Sequence, residues 1–180
     1  MENEFLRQEY SEMFNEKRHY DNRIFLFVTM YFTLLTICIS VISFSYESLE
    51  NDAVYLIIIL AIIQMFAGIT VAISLYHNRV SLVKACRQIN SIRKFCLKNG
   101  SEEFFEYNIM PLKSDYPSFL KMSSLHFAVI VFVFSINSIC VGVLFFYLWS
   151  IIVVSLFLMA ITMILQLAIY IFLLEKKDKK

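Results

Sequence analysis

Charged residues are missing from one long part of the chain: residues 125–174 contain no Asp, Glu, Lys or Arg. At about 1.5 Å per residue a helix of that length would run roughly 75 Å, whereas the hydrocarbon core of a bilayer is about 30 Å thick. The stretch therefore predicts two membrane-spanning helices with a reversal near residues 147–151. There the ring of Trp149 favours the membrane–water boundary, and Ser150 is expected to cap the returning helix.

Glycine and proline are scarce, with three and two residues respectively, and no enzyme motif is present. The chain has no HExxH helix, no nucleophile elbow and no glycine-rich phosphate loop. His19, His77 and His126 lie near the ends of predicted spans, without acids or thiols at metal-ligand spacing. The four cysteines fit neither a metal pattern nor a disulfide framework. We therefore predict no enzyme, no metal site and no cofactor.

Two further apolar stretches, residues 24–46 and 53–76, bring the number of predicted spans to four. Hydrophobic residues make up 59% of the chain and charged residues only 17%, which is outside the range of soluble proteins. The predicted fold is an all-α integral membrane protein with an N-terminal arm (1–23), a central loop (77–124) and a basic tail (175–180). The arm is expected to be an amphipathic helix, which lies either against the inner leaflet and its own loop or against neighbouring subunits.

Basic residues are confined to one side of the predicted topology. All 16 Lys and Arg lie in the arm, the central loop or the tail, whereas the connector at residues 47–52 carries acids and no base. Because basic flanks stay in the cytoplasm, both termini and the central loop are predicted to be cytoplasmic. No signal peptide is expected, because the first 23 residues are strongly charged.

The second helix is predicted to continue past Tyr76 to a stop at Gly100. A short helix is expected at 101–107, and the third long helix is expected to begin near Pro117. Extended in this way, the second and third helices would form a small cytoplasmic bundle with the arm. Five basic residues there are candidates for contact with anionic lipid: Lys84, Arg87, Arg93, Lys94 and Lys98. The alternatives are an anionic second messenger, an acidic protein or nucleic acid, of which direct nucleic-acid binding is not expected.

The first span carries hydroxyl side chains at alternating steps of four and three, which places them on one helical face. They are Thr29, Thr33, Thr36, Ser40 and Ser43. Such a face either packs against another helix or forms the wall of a water-filled path. The same two alternatives, an interhelical contact or a path lining, hold for three amides in the other spans: Gln64, Asn137 and Gln166.

Ion-coupled transport is disfavoured, because carriers generally need charged groups inside the membrane and the predicted spans have none. A passive pore or a membrane anchor remains. One protomer of four helices is too small to enclose a wide aqueous path, so several copies are expected to assemble around a cyclic axis.

The layout resembles small bacterial membrane effectors of anti-phage defence systems. A charged, aromatic segment at residues 16–23, with the sequence EKRHYDNR, runs into the first span, and a long basic helix follows the second. These features are similar to those of the Kiwa membrane subunit and of effectors of the SLATT class or Hailong type. SLATT proteins typically have two spans, and the second hairpin of this chain departs from that pattern. The resemblance implies an antiviral effector that disrupts or monitors the inner membrane when a cytoplasmic partner detects infection.

The leading functional prediction is an oligomeric pore or ion channel that is gated from the cytoplasmic side. The alternative is a non-conducting anchor or sensor that recruits a soluble effector. Both predict a lipid-embedded homo-oligomer with a cytoplasmic protein or anionic ligand as its partner. They differ in the first span, where a pore needs the hydroxyl groups for wetting and an anchor does not.

Overall fold

The computed structural model describes residues 2–48, 53–98 and 117–179, most of which form four long helices. They are α1 (Glu2–Ser48), α2 (Ala53–Lys98), α3 (Leu125–Trp149) and α4 (Ile152–Asp178). The prediction of an all-α protein with four apolar helices is confirmed. The predicted short helix at 101–107 lies outside the described residues.

Each of the four helices is long and apolar enough to cross a membrane. Their outer surfaces carry large, exposed hydrophobic side chains, such as Phe25 on α1, Phe66 on α2 and Phe157 on α4. On α4 only Ser155, Tyr170 and Leu174 are buried. A soluble protein rarely exposes so much contiguous apolar surface. These surfaces suggest an integral membrane protein.

The helices pack in chain order, α1 on α2, α2 on α3 and α3 on α4. Helix α3 has helices on both sides and is the most buried of the four. Its residues Ile130, Val133 and Phe134 form the core together with Leu75 of α2 and Leu174 of α4. The fold is therefore a bundle with α3 at its centre and with α1 and α4 at its edges.

The reversal between α3 and α4 lies at Ser150 and Ile151, within the stretch named from the sequence. Ser150 has a left-handed backbone (φ 54°), and its N–H donates to the Phe146 carbonyl at 2.8 Å. This is the geometry of a helix C-terminus. The residue before α4 is Ile151, whose side chain makes no cap hydrogen bond. The prediction that Ser150 caps the returning helix is therefore wrong, because Ser150 ends α3 instead.

Helix α3 begins at Leu125, where the Ser124 hydroxyl accepts a hydrogen bond from the Phe127 N–H at 3.2 Å. The prediction that the third helix begins near Pro117 is wrong, since residues 117–124 form bends and turns. Side chains of α2 and α4 bind the backbone of this segment and prevent the helical pairing. Of the two helices that were predicted to extend beyond their apolar spans into the central loop, α2 does so, in one helix to Lys98, whereas α3 does not.

Candidate functional site

The hydroxyl face of α1 is exposed on the outside of the protomer. All five predicted residues, Thr29, Thr33, Thr36, Ser40 and Ser43, are solvent-accessible, and none packs in the interior. Three of the hydroxyls donate to the carbonyl one turn earlier, with distances of 2.9, 2.9 and 2.8 Å from Thr33, Thr36 and Ser40 respectively. Their donors are thus satisfied within the helix, while acceptor lone pairs remain on the surface.

The same face continues along α1 below the apolar span. The side chains at the matching helical angle are polar and exposed: Ser11, Asn15, Arg18 and Asn22. Their steps of four, three and four continue the hydroxyl pattern. We define the polar face of α1 as these nine residues, from Ser11 to Ser43. The sequence analysis missed this continuity because it treated the arm and the span as separate units.

One large apolar side chain interrupts the polar face of α1. Phe25 lies three residues after Asn22 and four before Thr29, so it occupies the same angle, and it is 61% exposed. It stands where the charged arm meets the apolar span. Any water column along this face would have to pass the Phe25 ring.

Two of the predicted amides, Gln64 of α2 and Asn137 of α3, are in the protomer interior. There they meet the side of α1 that is opposite the hydroxyl face. The Tyr31 hydroxyl donates to Asn137 Oδ1 of α3 at 3.0 Å, and the Gln64 amide of α2 lies next to the same hydroxyl. Cys38 adds a weak contact from its Sγ to Gln64 Oε1 at 3.9 Å. These polar groups link α1, α2 and α3. Tyr31, which the sequence analysis missed, is at their centre.

The Asn137 side chain packs directly on the backbone of Gly68. A Cβ at residue 68 would overlap the amide, at 2.5 Å from Asn137 Cγ and 2.6 Å from Asn137 Nδ2. Gly68 and Ala72 form a pair of small residues four apart on α2, a spacing that permits close approach of helices. In the structure the space above Gly68 is filled by a polar side chain.

The third amide, Gln166, is half-buried on α4 and separate from Tyr31. It lines a cavity of about 450 Å³ between α2, α3 and α4, and Asn137 lines the same cavity. The structure therefore brings Asn137 and Gln166 to one site, whereas the hydroxyl face of α1 is elsewhere.

Of the five basic residues predicted for anion contact, two bind side chains of other helices and two are exposed. The Arg93 guanidinium donates to the Tyr10 hydroxyl at 2.8 Å, and that of Arg87 donates to Asp178 Oδ1 at 2.8 Å. Lys84 and Lys94 are exposed. The side chain of Lys98 lies outside the described residues. Two of the five thus hold helices together, so the residues do not form one continuous basic patch.

A polar clamp holds residues 117–120 against the side of α2 and the C-terminal end of α4. Arg79 Nε donates to the Phe119 carbonyl at 2.9 Å, and its Nη2 donates to the Ser118 carbonyl at 2.8 Å. Asp178 accepts from the Phe119 N–H at 3.0 Å and from the Leu120 N–H at 3.3 Å. The Arg87 guanidinium lies 4.4 Å from the centroid of the Phe119 ring. The clamp ties α2 to α4, and the sequence analysis missed both Arg79 and Asp178.

Replacing Asp178 with alanine is expected to destabilise the bundle by about 1–2 kcal/mol, because two backbone N–H groups and Arg87 lose a charged acceptor. For a chain of this size the melting temperature in detergent should fall by roughly 3–6 °C. Trypsin cleavage after Lys121 should become faster.

Asp21 supplies the matched control, because its carboxylate also accepts from a cation at 2.8 Å, but from Lys17 on the same helix. Exposed pairs at this spacing contribute about 0.3–0.5 kcal/mol. Asp21→Ala should therefore leave both readouts nearly unchanged. Equal effects of the two variants would contradict the clamp.

Among the described residues, no three metal-ligating side chains come together. No family model, curated protein or solved structure matches this chain. The resemblance to anti-phage membrane effectors therefore stays a prediction.

Proposed function

We propose that the protein is an oligomeric membrane pore in which the α1 helices of several copies surround a central aqueous path. The observation that carries this proposal is the exposed polar face of α1. A helix that met only lipid along this face would gain nothing from a ladder of hydroxyls, whereas a pore wall would use their oxygens to solvate ions without a fixed charge. Because α1 lies at the edge of the bundle, a ring of copies can bring these faces to a shared axis.

The proposed orientation places both termini and the 77–124 segment in the cytoplasm. The distribution of the 16 basic residues supports it. In this orientation the arm and the end of α2 project from the inner surface of a bacterial plasma membrane. Lys84 and Lys94 are then exposed to the cytoplasm, where an acidic protein or another anionic ligand can reach them.

The proposed gating signal reaches the pore through α1 itself, because arm and span form one uninterrupted helix of 47 residues. The arm is attached to α2 by side-chain contacts. Gln88 Nε2 donates to Glu9 Oε1 at 2.6 Å, and Asn78 Nδ2 donates to the Tyr20 carbonyl at 2.9 Å. A partner that displaces α2 from the arm would therefore rotate or tilt the face that lines the path.

The second candidate function is a non-conducting anchor or sensor that recruits a soluble effector. The long polar arm and the exposed lysines of α2 favour it, because they offer a docking surface beyond the apolar helices. Either function fits an antiviral role in which a cytoplasmic partner reports infection. A phage-protection assay in cells tests that role for both.

Ion flux through the purified protein in planar bilayers separates pore from anchor. The combined variant Thr33→Val, Thr36→Val and Ser40→Ala should lose most of the current, because it removes the oxygens that wet the wall. Thr70→Val is the matched control, since Thr70 of α2 is exposed and its hydroxyl donates to the Phe66 carbonyl at 3.0 Å. Equal currents from both variants, or a silent protein that still binds its cytoplasmic partner, would favour the anchor.

A further inference from the structure

The cavity between α2, α3 and α4 has the size of a small-molecule site. Its volume of about 450 Å³ falls within the range of roughly 300–1,000 Å³ typical of ligand pockets. Its walls are mainly apolar, formed by residues such as Ile69, Ile73, Phe134, Ile169 and Leu173. Ile69, Ile73 and Ile169 are more than two-fifths exposed, so the cavity opens sideways between α2 and α4, towards the region that lipid would occupy.

Two polar groups at this apolar cavity lack hydrogen-bond partners. Asn137 is only 1% exposed, and its Oδ1 is occupied by Tyr31 while its Nδ2 has no partner. The buried Oε1 of Gln166 also has no partner. A buried amide group without a hydrogen bond costs about 1–3 kcal/mol. The cavity therefore has one unused donor and one unused acceptor in a mainly apolar lining, to which Tyr76, His77 and Tyr170 also belong.

We propose that this cavity binds an aliphatic molecule that carries a single hydroxyl group. A hydroxyl accepts from one amide and donates to the other, so it satisfies Asn137 and Gln166 together. Among the described residues, no Lys, Arg, Asp or Glu lines the cavity, which disfavours a charged head group. The ligand enters from the bilayer and places its hydroxyl beside the two amides and its chain along the isoleucines.

Photolabelling of the purified protein in lipid nanodiscs tests the site. The probe is an octanol that bears a diazirine, and its control is the diazirine octane of the same length. The alcohol should label the cavity stretches of α2 and α4 saturably, and plain octanol should compete with it. The alkane should label all exposed apolar surfaces without saturation.

Two variants locate the site. Gln166→Leu removes the acceptor and should weaken the apparent affinity for the alcohol about five- to tenfold, as expected for one lost hydrogen bond. Ile73→Trp fills the cavity and should abolish saturable labelling. Ile62→Trp is the control, since Ile62 is exposed on α2 outside the cavity lining, and it should leave labelling unchanged.

Three results would overturn the proposal. Equal, non-saturable labelling by alcohol and alkane would mean that ordinary acyl chains fill the cavity. Saturable labelling that survives both Gln166→Leu and Ile73→Trp would place the binding site elsewhere. Labelling of the detergent monomer but not of an assembled form would mean that a second copy occupies the cavity. Because the readout is binding, it is independent of whether the protein conducts ions.

Discussion

Replacing Gly68 with alanine is expected to destabilise the bundle by about 1–3 kcal/mol. In a helix interior alanine is normally more favourable than glycine by about 1 kcal/mol, so the expected sign is the reverse of the helix-propensity effect. The reason is the Asn137 amide, which occupies the space where the new Cβ would lie. Moving this buried amide would break its hydrogen bond with Tyr31. Overpacking costs about 1–3 kcal/mol and the lost hydrogen bond about 1 kcal/mol, and the helix-propensity gain of about 1 kcal/mol offsets part of this cost.

Gly142 is the matched control for Gly68. It lies in α3, and a Cβ there would meet Met159 Cβ at 3.4 Å and the Ser155 carbonyl oxygen at 3.5 Å, which are ordinary contact distances. Gly142→Ala should therefore be neutral or slightly stabilising. Thermal unfolding of the two variants in the same detergent, followed by circular dichroism at 222 nm, gives the comparison.

A double variant shows whether Asn137 is the cause. Asn137→Ala should cost stability itself, because the Tyr31 hydroxyl loses its acceptor, but it also vacates the space above Gly68. The penalty of Gly68→Ala should therefore be smaller in the Asn137→Ala background than in the wild type, as a coupling energy between neighbouring sites. Strict additivity of the two substitutions would contradict direct packing of Asn137 on Gly68.

Phe25→Ala is expected to make the proposed pore conduct without its cytoplasmic signal. In a ring of α1 helices the Phe25 side chains would meet at the axis, where an apolar constriction expels water and stops ion flow. Substitution by alanine widens this point and leaves the polar residues on either side in place. Ion leak from liposomes should rise from near background to steady flux, and expression of the variant should arrest growth of bacteria by depolarising the membrane.

The control for Phe25 is Phe66 of α2, because the two side chains are equally exposed, 61% and 62%. Phe66→Ala removes the same apolar surface from another helix and should cause no leak. An open Phe25 variant would also distinguish a closed channel from an anchor, since an anchor has no gate to remove. If neither variant leaks while both remain folded, Phe25 is not a gate.

The number of apolar helices, the reversal near residue 150 and the length of α2 could be predicted from the sequence. A long run without charged residues indicates membrane spans as soon as its length is compared with the thickness of a bilayer. The helix stop before Gly100 is a local signal of the same kind. Each of these features depends on residues close together in the chain, so it can be predicted without knowledge of the packing.

The chain by itself thus determined that it forms four apolar helices, whereas the tertiary structure decided which side of each helix faces inward. Tyr31 is buried and Phe25 exposed on the same helix, although both are aromatic residues in an apolar run. Lipid is as apolar as the bundle interior, so a span with hydrophobic residues all round shows no periodicity that would identify its inner face. The start of α3 at Leu125 was likewise decided by contacts distant in sequence, because Arg79 and Asp178 bind the backbone that a longer helix would have paired.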